Sequence, residues 1–221
     1  MLSIQNDDKD IIFVMRFASA SRSDNSIKVD DTSNLTSDGN LSVVYSERDI
    51  IGANSREETV YQGECTCNLN ALNCPLPYKT GTNLCAVKLV LRRIDKQSVN
   101  IHEEIHALKA LAKIPAVVKL YGLAQINWLE KIEFHDRAII MELGSGNTIE
   151  AAIDKMQCDS GIILFFDCTS QKILDVLQKM QPYQVYHTDL HCGNIMVPPG
   201  DSYLERCKNI KIIDFGNVEK H

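Results

Sequence analysis

The sequence predicts an α+β fold: a mainly antiparallel sheet with one helix, followed by a small, mainly helical part. Three observations predict it. Strand-like apolar runs recur from Leu41 to about Leu91. The period then changes, with Ile101, Ile105, Leu108, Leu111 and Ala112 at helical spacing. Beyond Gly144 the chain turns helical, and two short strands close it. Elements in that order make two layers or lobes.

Taken in order, Ile11–Met15 is a short β-like run, and residues 18–42, rich in Ser, Asp, Asn and Thr, read as a long loop or disordered tether. Ser42–Tyr45, Thr59–Tyr61 and Cys85–Leu91 follow as strands. The insert Asn68–Asn83, with two prolines and Gly81, is a loop. An amphipathic helix spans about 98–113, and Pro115 ends it. Val117–Tyr121 and Ala138–Met141 are two more strands, Thr148–Met156 and Ile163–Met180 two helices, and Asn194–Val197 and Ile210–Ile213 the last strands. The expected organisation is an N-terminal extension over 1–45, partly disordered or loop, then 46–143 and 144–221.

Composition narrows the function classes. The 221 residues suffice for a good core, and 44% hydrophobic with 24% charged residues is ordinary for a globular protein. No apolar run is long enough to span a bilayer, and the acidic N-terminus lacks a signal-peptide pattern, so an intracellular protein is expected. Net charge is −6, and residues 1–60 hold 11 acids against 6 bases, which leaves 18 acids and 17 bases elsewhere. That balance provides no basic nucleic-acid patch. Of eight cysteines, Cys65, Cys67, Cys74 and Cys85 form a run that zinc would need in paired knuckles, which it lacks. Buried thiols are the plainer reading there, and Cys158, Cys168, Cys192 and Cys207 read as ordinary thiols.

Three segments carry chemistry. In Cys85-Ala86-Val87-Lys88 a lysine lies inside an apolar strand, where its charge needs a partner. Glu104, 16 residues later on the helix, offers one. A lysine snorkelling from a strand edge is the alternative. In His187-Thr188-Asp189-Leu190-His191-Cys192-Gly193-Asn194, Asp189 and Asn194 sit five residues apart before a strand. A carboxylate there can accept a hydroxyl proton while the amide oxygen ligates magnesium. The two histidines invite a zinc reading with Asp189, but nothing else in the chain supplies a zinc-enzyme context. In Lys211-Ile212-Ile213-Asp214-Phe215-Gly216, an aspartate ends an apolar strand and projects a carboxylate.

Together these segments resemble the protein-kinase superfamily from about Ile51 to Val218. The resemblance implies a kinase-like antiparallel N-lobe with one C-helix and a truncated, mainly helical C-lobe. It makes Lys88 the ligand of the ATP phosphates, Glu104 its ion-pair partner, Asp189 the catalytic base, and Asn194 and Asp214 the magnesium ligands. Met141 stands at the gatekeeper position, backbone groups of Glu142 and Gly144 meet adenine, and Val60, Ala86 and Met196 sandwich its ring. Gly52 opens the phosphate-covering loop. The cofactors implied are ATP and Mg2+, and the acceptor implied is a protein.

Departures from the family pattern sharpen the expectation. The glycine-rich loop reads Gly52-Ala53-Asn54-Ser55-Arg56-Glu57-Glu58-Thr59-Val60-Tyr61, retaining only its first glycine and gaining one residue. Thr188 replaces the arginine that reads an activation-loop phosphate, and His191 replaces the usual lysine. The Asp-Leu-His-x-x-Asn form resembles small-molecule kinases and some kinases of large DNA viruses. Five residues follow Gly216, so the chain looks similar to minimal kinases among pathogen effectors. A host-cytoplasmic setting and a partner replacing the missing lobe would follow. The leading expectation is a Ser/Thr protein kinase without activation-loop control; the alternatives are a pseudokinase scaffold and a small-molecule kinase.

Overall fold

The computed structural model describes residues 2–7, 10–16, 41–55, 58–67, 76, 82–91, 101–127, 135–153, 160–200 and 202–220. The chain divides into two compact units. The first comprises Met1–Ser98 and Leu120–Leu143, the second Val99–Lys119 and Gly144–His221.

The first unit is built on a seven-stranded sheet. Its strands are β1 (Leu2–Asp7), β2 (Asp10–Arg16), β3 (Leu41–Ser55), β4 (Glu58–Cys67), β5 (Thr82–Leu91), β6 (Leu120–Asn127) and β7 (His135–Glu142), in the spatial order β1-β2-β6-β7-β5-β4-β3. All pairs are antiparallel except β2 with β6, which run parallel. Strand β5 lies between β4 and β7, and Cys85–Leu89 are all buried. A strand covered on both faces needs a near-continuous apolar run, which Leu84–Leu91 supplies apart from Lys88.

The expected strands at Ser42–Tyr45, Thr59–Tyr61, Cys85–Leu91 and Ala138–Met141 lie inside longer ones. Leu2–Asp7 is a strand that alternation did not reveal; it pairs antiparallel with β2. The tether expected at 18–42 lies outside the described residues except for 41 and 42, which begin β3. Most of the loop expected at 68–83 also lies outside them. Strand β6 begins at Leu120 rather than Val117, because Val117 bridges instead to Ile212 in the second unit.

The second unit opens with helix α1 (Ile101–Ala110). Glu103 and Glu104 in its first turn and Lys109 in its last complement the helix dipole. Ile101, Glu104, Ile105 and Leu108 form its buried stripe, so Glu104 occupies a core-facing position. After Pro115 the chain extends, and Ala116–Val118 pair with Ile212 through Ile212 N–H to Ala116 O at 2.7 Å and Val118 N–H to Ile212 O at 3.3 Å.

The rest comprises β8 (Asn147–Thr148), α2 (Ile149–Ile153), α3 (Ser160–Met180), β9 (Val185–His187), β10 (Ile195–Val197), α4 (Tyr203–Lys208), β11 (Lys211–Ile212) and β12 (Val218–Lys220). Strands β11, β10 and β8 form one small antiparallel sheet, β12 and β9 another. Ile149, Phe165, Ile195, Val197, Cys207 and Ile210 make the core beneath them, with Leu190 packed against it. Each such fully buried side chain contributes about 1.5–3 kcal/mol.

Four cysteines depart from the thiol reading. Cys65 and Cys85 form a disulfide between β4 and β5, and Cys168 and Cys207 form one between α3 and α4. In the ladder Cys65 faces Asn83 while Cys85 faces Gly63, so the pair is diagonal, within reach for a cross-strand contact. No group of three or more His, Cys, Asp or Glu side chains fit to hold a metal occurs among the described residues.

Candidate functional site

In the first unit the register sets one row of residues on a single sheet face. Gly52 opposes Val60, Val60 opposes Lys88, and Lys88 opposes Ile139. Ala86 opposes Met141 and, two residues from Lys88, lies on the same face. Gly52, Val60, Ala86 and Lys88 therefore share a face. Lys88 is only 3% exposed, too little for a lysine snorkelling from an edge.

The glycine-poor segment is strand almost throughout. Between the Ile50–Tyr61 and Gly52–Val60 pairs, β3 advances two residues while β4 advances one, and the same happens between Ala53–Thr59 and Ser55–Glu58. Ile51 and Asn54 are thus the extra residues at two bulges. An added residue is absorbed by bulging rather than by lengthening a loop.

Glu142 ends β7 opposite Cys85. Tyr121 sits at a register shift between the Leu120–Met141 and Gly122–Ile140 pairs. Burial, and then the nearby Glu142 charge, push its hydroxyl up to about 12.

The second unit brings Asp189, Asn194 and Asp214 into one hydrogen-bonded framework. Leu190 packs on the core, which holds the loop down while Asp189 and His191 remain exposed on either side of it. Asn194 is buried, and its Nδ2 donates to the Asp189 carbonyl at 2.9 Å. With its nitrogen committed, Oδ1 is the ligand atom that Asn194 has to offer. Its own carbonyl accepts from Ile213 N–H at 3.0 Å, which ties the loop to the residue before Asp214.

One ring contact and one hydrogen bond, both from His187, hold the residues on either side of Asp214. Phe215 is fully buried and its ring lies 4.9 Å from that of His187. His187 Nε2 lies 3.0 Å from the Ile213 carbonyl. Since the carbonyl only accepts, Nε2 carries the proton and donates. Asp214 itself has φ 59°, in the left-handed region, an uncommon conformation that aspartate tolerates better than most residues.

Asp189 has a second neighbour. Asn217 Nδ2 donates to its Oδ2 at 3.3 Å. Close by, His191 Nδ1 accepts from Gly193 N–H at 3.1 Å, so a neutral His191 carries its proton on Nε2.

A family model described as protein kinase domain matches residues 77–221, well over half of the chain. The chain belongs to the protein kinase family. A search of curated proteins finds no match. Membership in this family implies phosphotransferase chemistry with ATP and magnesium, on a kinase-like α+β fold.

The oxygen donors of this kinase suit that metal. Asn194 and Asp214 offer hard oxygen ligands of the kind magnesium takes alongside phosphates and waters, rather than an all-protein cage. The remaining positions singled out from the sequence fall on both units. Lys88, Val60, Ala86, Gly52 and Glu142 belong to the first. Glu104 (3% exposed), Gly144, Asp189, Asn194, Met196 and Asp214 belong to the second. Gly144 and Met196 touch: a Cβ at Gly144 would lie 2.9 Å from Met196 Cγ. The sequence reading missed Asn217 and weighed His187 only as a zinc ligand, not as the partner of Ile213 and Phe215. Position alone, one residue past Gly216, was the available signal for Asn217.

Proposed function

We propose that this kinase transfers the γ-phosphoryl group of ATP, with magnesium, to a Ser or Thr hydroxyl of a protein. The hydrogen-bonded framework joining Asp189, Asn194 and the residue before Asp214 carries the reading. Asp189, exposed at the surface of the second unit, takes the hydroxyl proton as base. Asn194 and Asp214 hold magnesium, which when bound neutralises charge on the phosphates. Lys88 holds the phosphates, and the burial of its charge favours that role over a surface one; Glu104, likewise buried, is a core-facing carboxylate of the second unit. In the first unit Val60 and Ala86 line adenine, with the backbone of Glu142 meeting its edge and Gly52 beginning the phosphate cover. Thr188 carries no charge, so this position does not read a phosphorylated activation loop.

A second reading, a scaffold that binds nucleotide without turnover, draws support from the strand-like β3–β4 segment and its bulge at Asn54. Purified protein with labelled ATP and magnesium separates the two. Autophosphorylation or labelling of a generic protein substrate is expected, and Asp189→Ala and Asp214→Ala should each lower it by at least about a hundredfold. Labelling that survives both substitutions would sink the assignment. A magnesium-dependent thermal shift with ATP but no transfer would favour the scaffold, and transfer only to metabolites a small-molecule kinase.

A further inference from the structure

We propose that Asn217 is a positioning residue for Asp189, and that Thr188 is the clasp that holds Asn217 in place. Asn217 touches Asp189 directly, Nδ2 to Oδ2 at 3.3 Å. Its backbone carbonyl is gripped twice by one residue, accepting from Thr188 N–H at 3.1 Å and from Thr188 Oγ1 at 3.0 Å. Those two donors use both lone pairs of the carbonyl. The pairing of Val218 with His187 continues the same contact into the β12–β9 ladder. Asn217, Thr188 and Asp189 therefore close a ring through side chain and backbone at the end of a two-stranded sheet.

The chemistry of each residue type fits the task. An exposed aspartate rotates among rotamers, and only some of them aim an oxygen at an incoming hydroxyl. A neutral amide donor on Oδ2 restrains that rotation and leaves Oδ1 for the substrate proton. A carboxylate at 217 would repel Asp189 at the same distance. A short hydroxyl at 188 reaches the Asn217 carbonyl, which gives Thr188 a use of its own. This proposal rests on the reading of Asp189 as base.

The test uses the full chain and two independent readouts. In the first, the side-chain amide signal of Asn217 in a proton–nitrogen spectrum is assigned by its loss in Asn217→Ala. It should shift in Asp189→Ala. A signal that stays in place overturns the contact, whatever the activity. In the second, Asn217→Ala should lower kcat by about tenfold with the KM for ATP unchanged, as expected for one lost hydrogen bond. Asn217→Asp should lower kcat further. Thr188→Val should lower it by about threefold, and Thr188→Ser should restore it. An unchanged kcat in Asn217→Ala, or an equal loss in Thr188→Ser and Thr188→Val, overturns the positioning role. If the amide signal shifts but the wild type transfers no phosphate, the contact stands and the kinase reading falls.

Discussion

At Asp214 the backbone takes a left-handed conformation, φ 59°, that glycine adopts without strain and alanine does not. Anchors on both sides hold it: Phe215 is buried beneath His187, and Ile213 bonds Asn194 and His187. Asp214→Gly should therefore be more stable than Asp214→Ala by roughly 1 kcal/mol in chemical denaturation. Both variants should lose the magnesium-dependent thermal response to ATP. Equal stability of the two would mean that the backbone at 214 relaxes. A second single-residue prediction concerns Tyr121, whose hydroxyl titrates at about 12 in the folded chain against an ordinary value of 10.0. With the folded value raised, its contribution is fully present below the unfolded value and is lost as pH rises through about 12. Wild-type stability should fall over that alkaline window more steeply than that of Tyr121→Phe, as read by urea midpoints. Lys88, Glu104, Asp189, Asn194 and Asp214 stand out in the sequence because they occur in a telling order with telling apolar neighbours. Asn217 does not, since its meaning depends on β12 returning to β9, a pairing of three residues with no alternation to announce it.

Elements differ in how openly the chain writes them. Strand β5 and helix α1 declare themselves through an apolar run and a helical stripe. The short helix α4 carried a signal that was overlooked: Ser202-Tyr203-Leu204-Glu205 fits a capping box, and Ser202 Oγ does accept from Glu205 N–H at 3.2 Å. Bulges in β3 escape any periodic reading, because an extra residue shifts the phase of alternation. The disulfide between α3 and α4 closes 39 residues of chain, a constraint on the unfolded state of about 4 kcal/mol. Cys207→Ser should lower the melting temperature under oxidising conditions, and dithiothreitol should lower that of the wild type but leave this variant's α3–α4 contact unaffected. A melting temperature indifferent to both would show the sulfurs to be packed thiols. Sequence could not pair these cysteines, since their proximity follows from helix packing rather than spacing.

For the whole chain, each of the two units has its own framework. The first is a sheet whose buried central strand carries Lys88; the second is a helical core that carries Asp189, Asn194 and Asp214 on loops pinned by Leu190 and Phe215. The family match spans parts of both units. Fold class was readable because the hydrophobic period changes near α1; the grouping of α1 with the second unit was not, because it reflects contacts distant in sequence, such as those of α1 with β12 and of Ala116–Val118 with Ile212. The central claim is that the chain turns over ATP through Asp189. Incubating the full protein with γ-labelled ATP and magnesium, beside Asp189→Ala, tests it most directly. The account predicts label on protein with the wild type and at least about a hundredfold less with the variant. Equal labelling by both, or none by the wild type in the presence of a clear ATP-induced thermal shift, would contradict it.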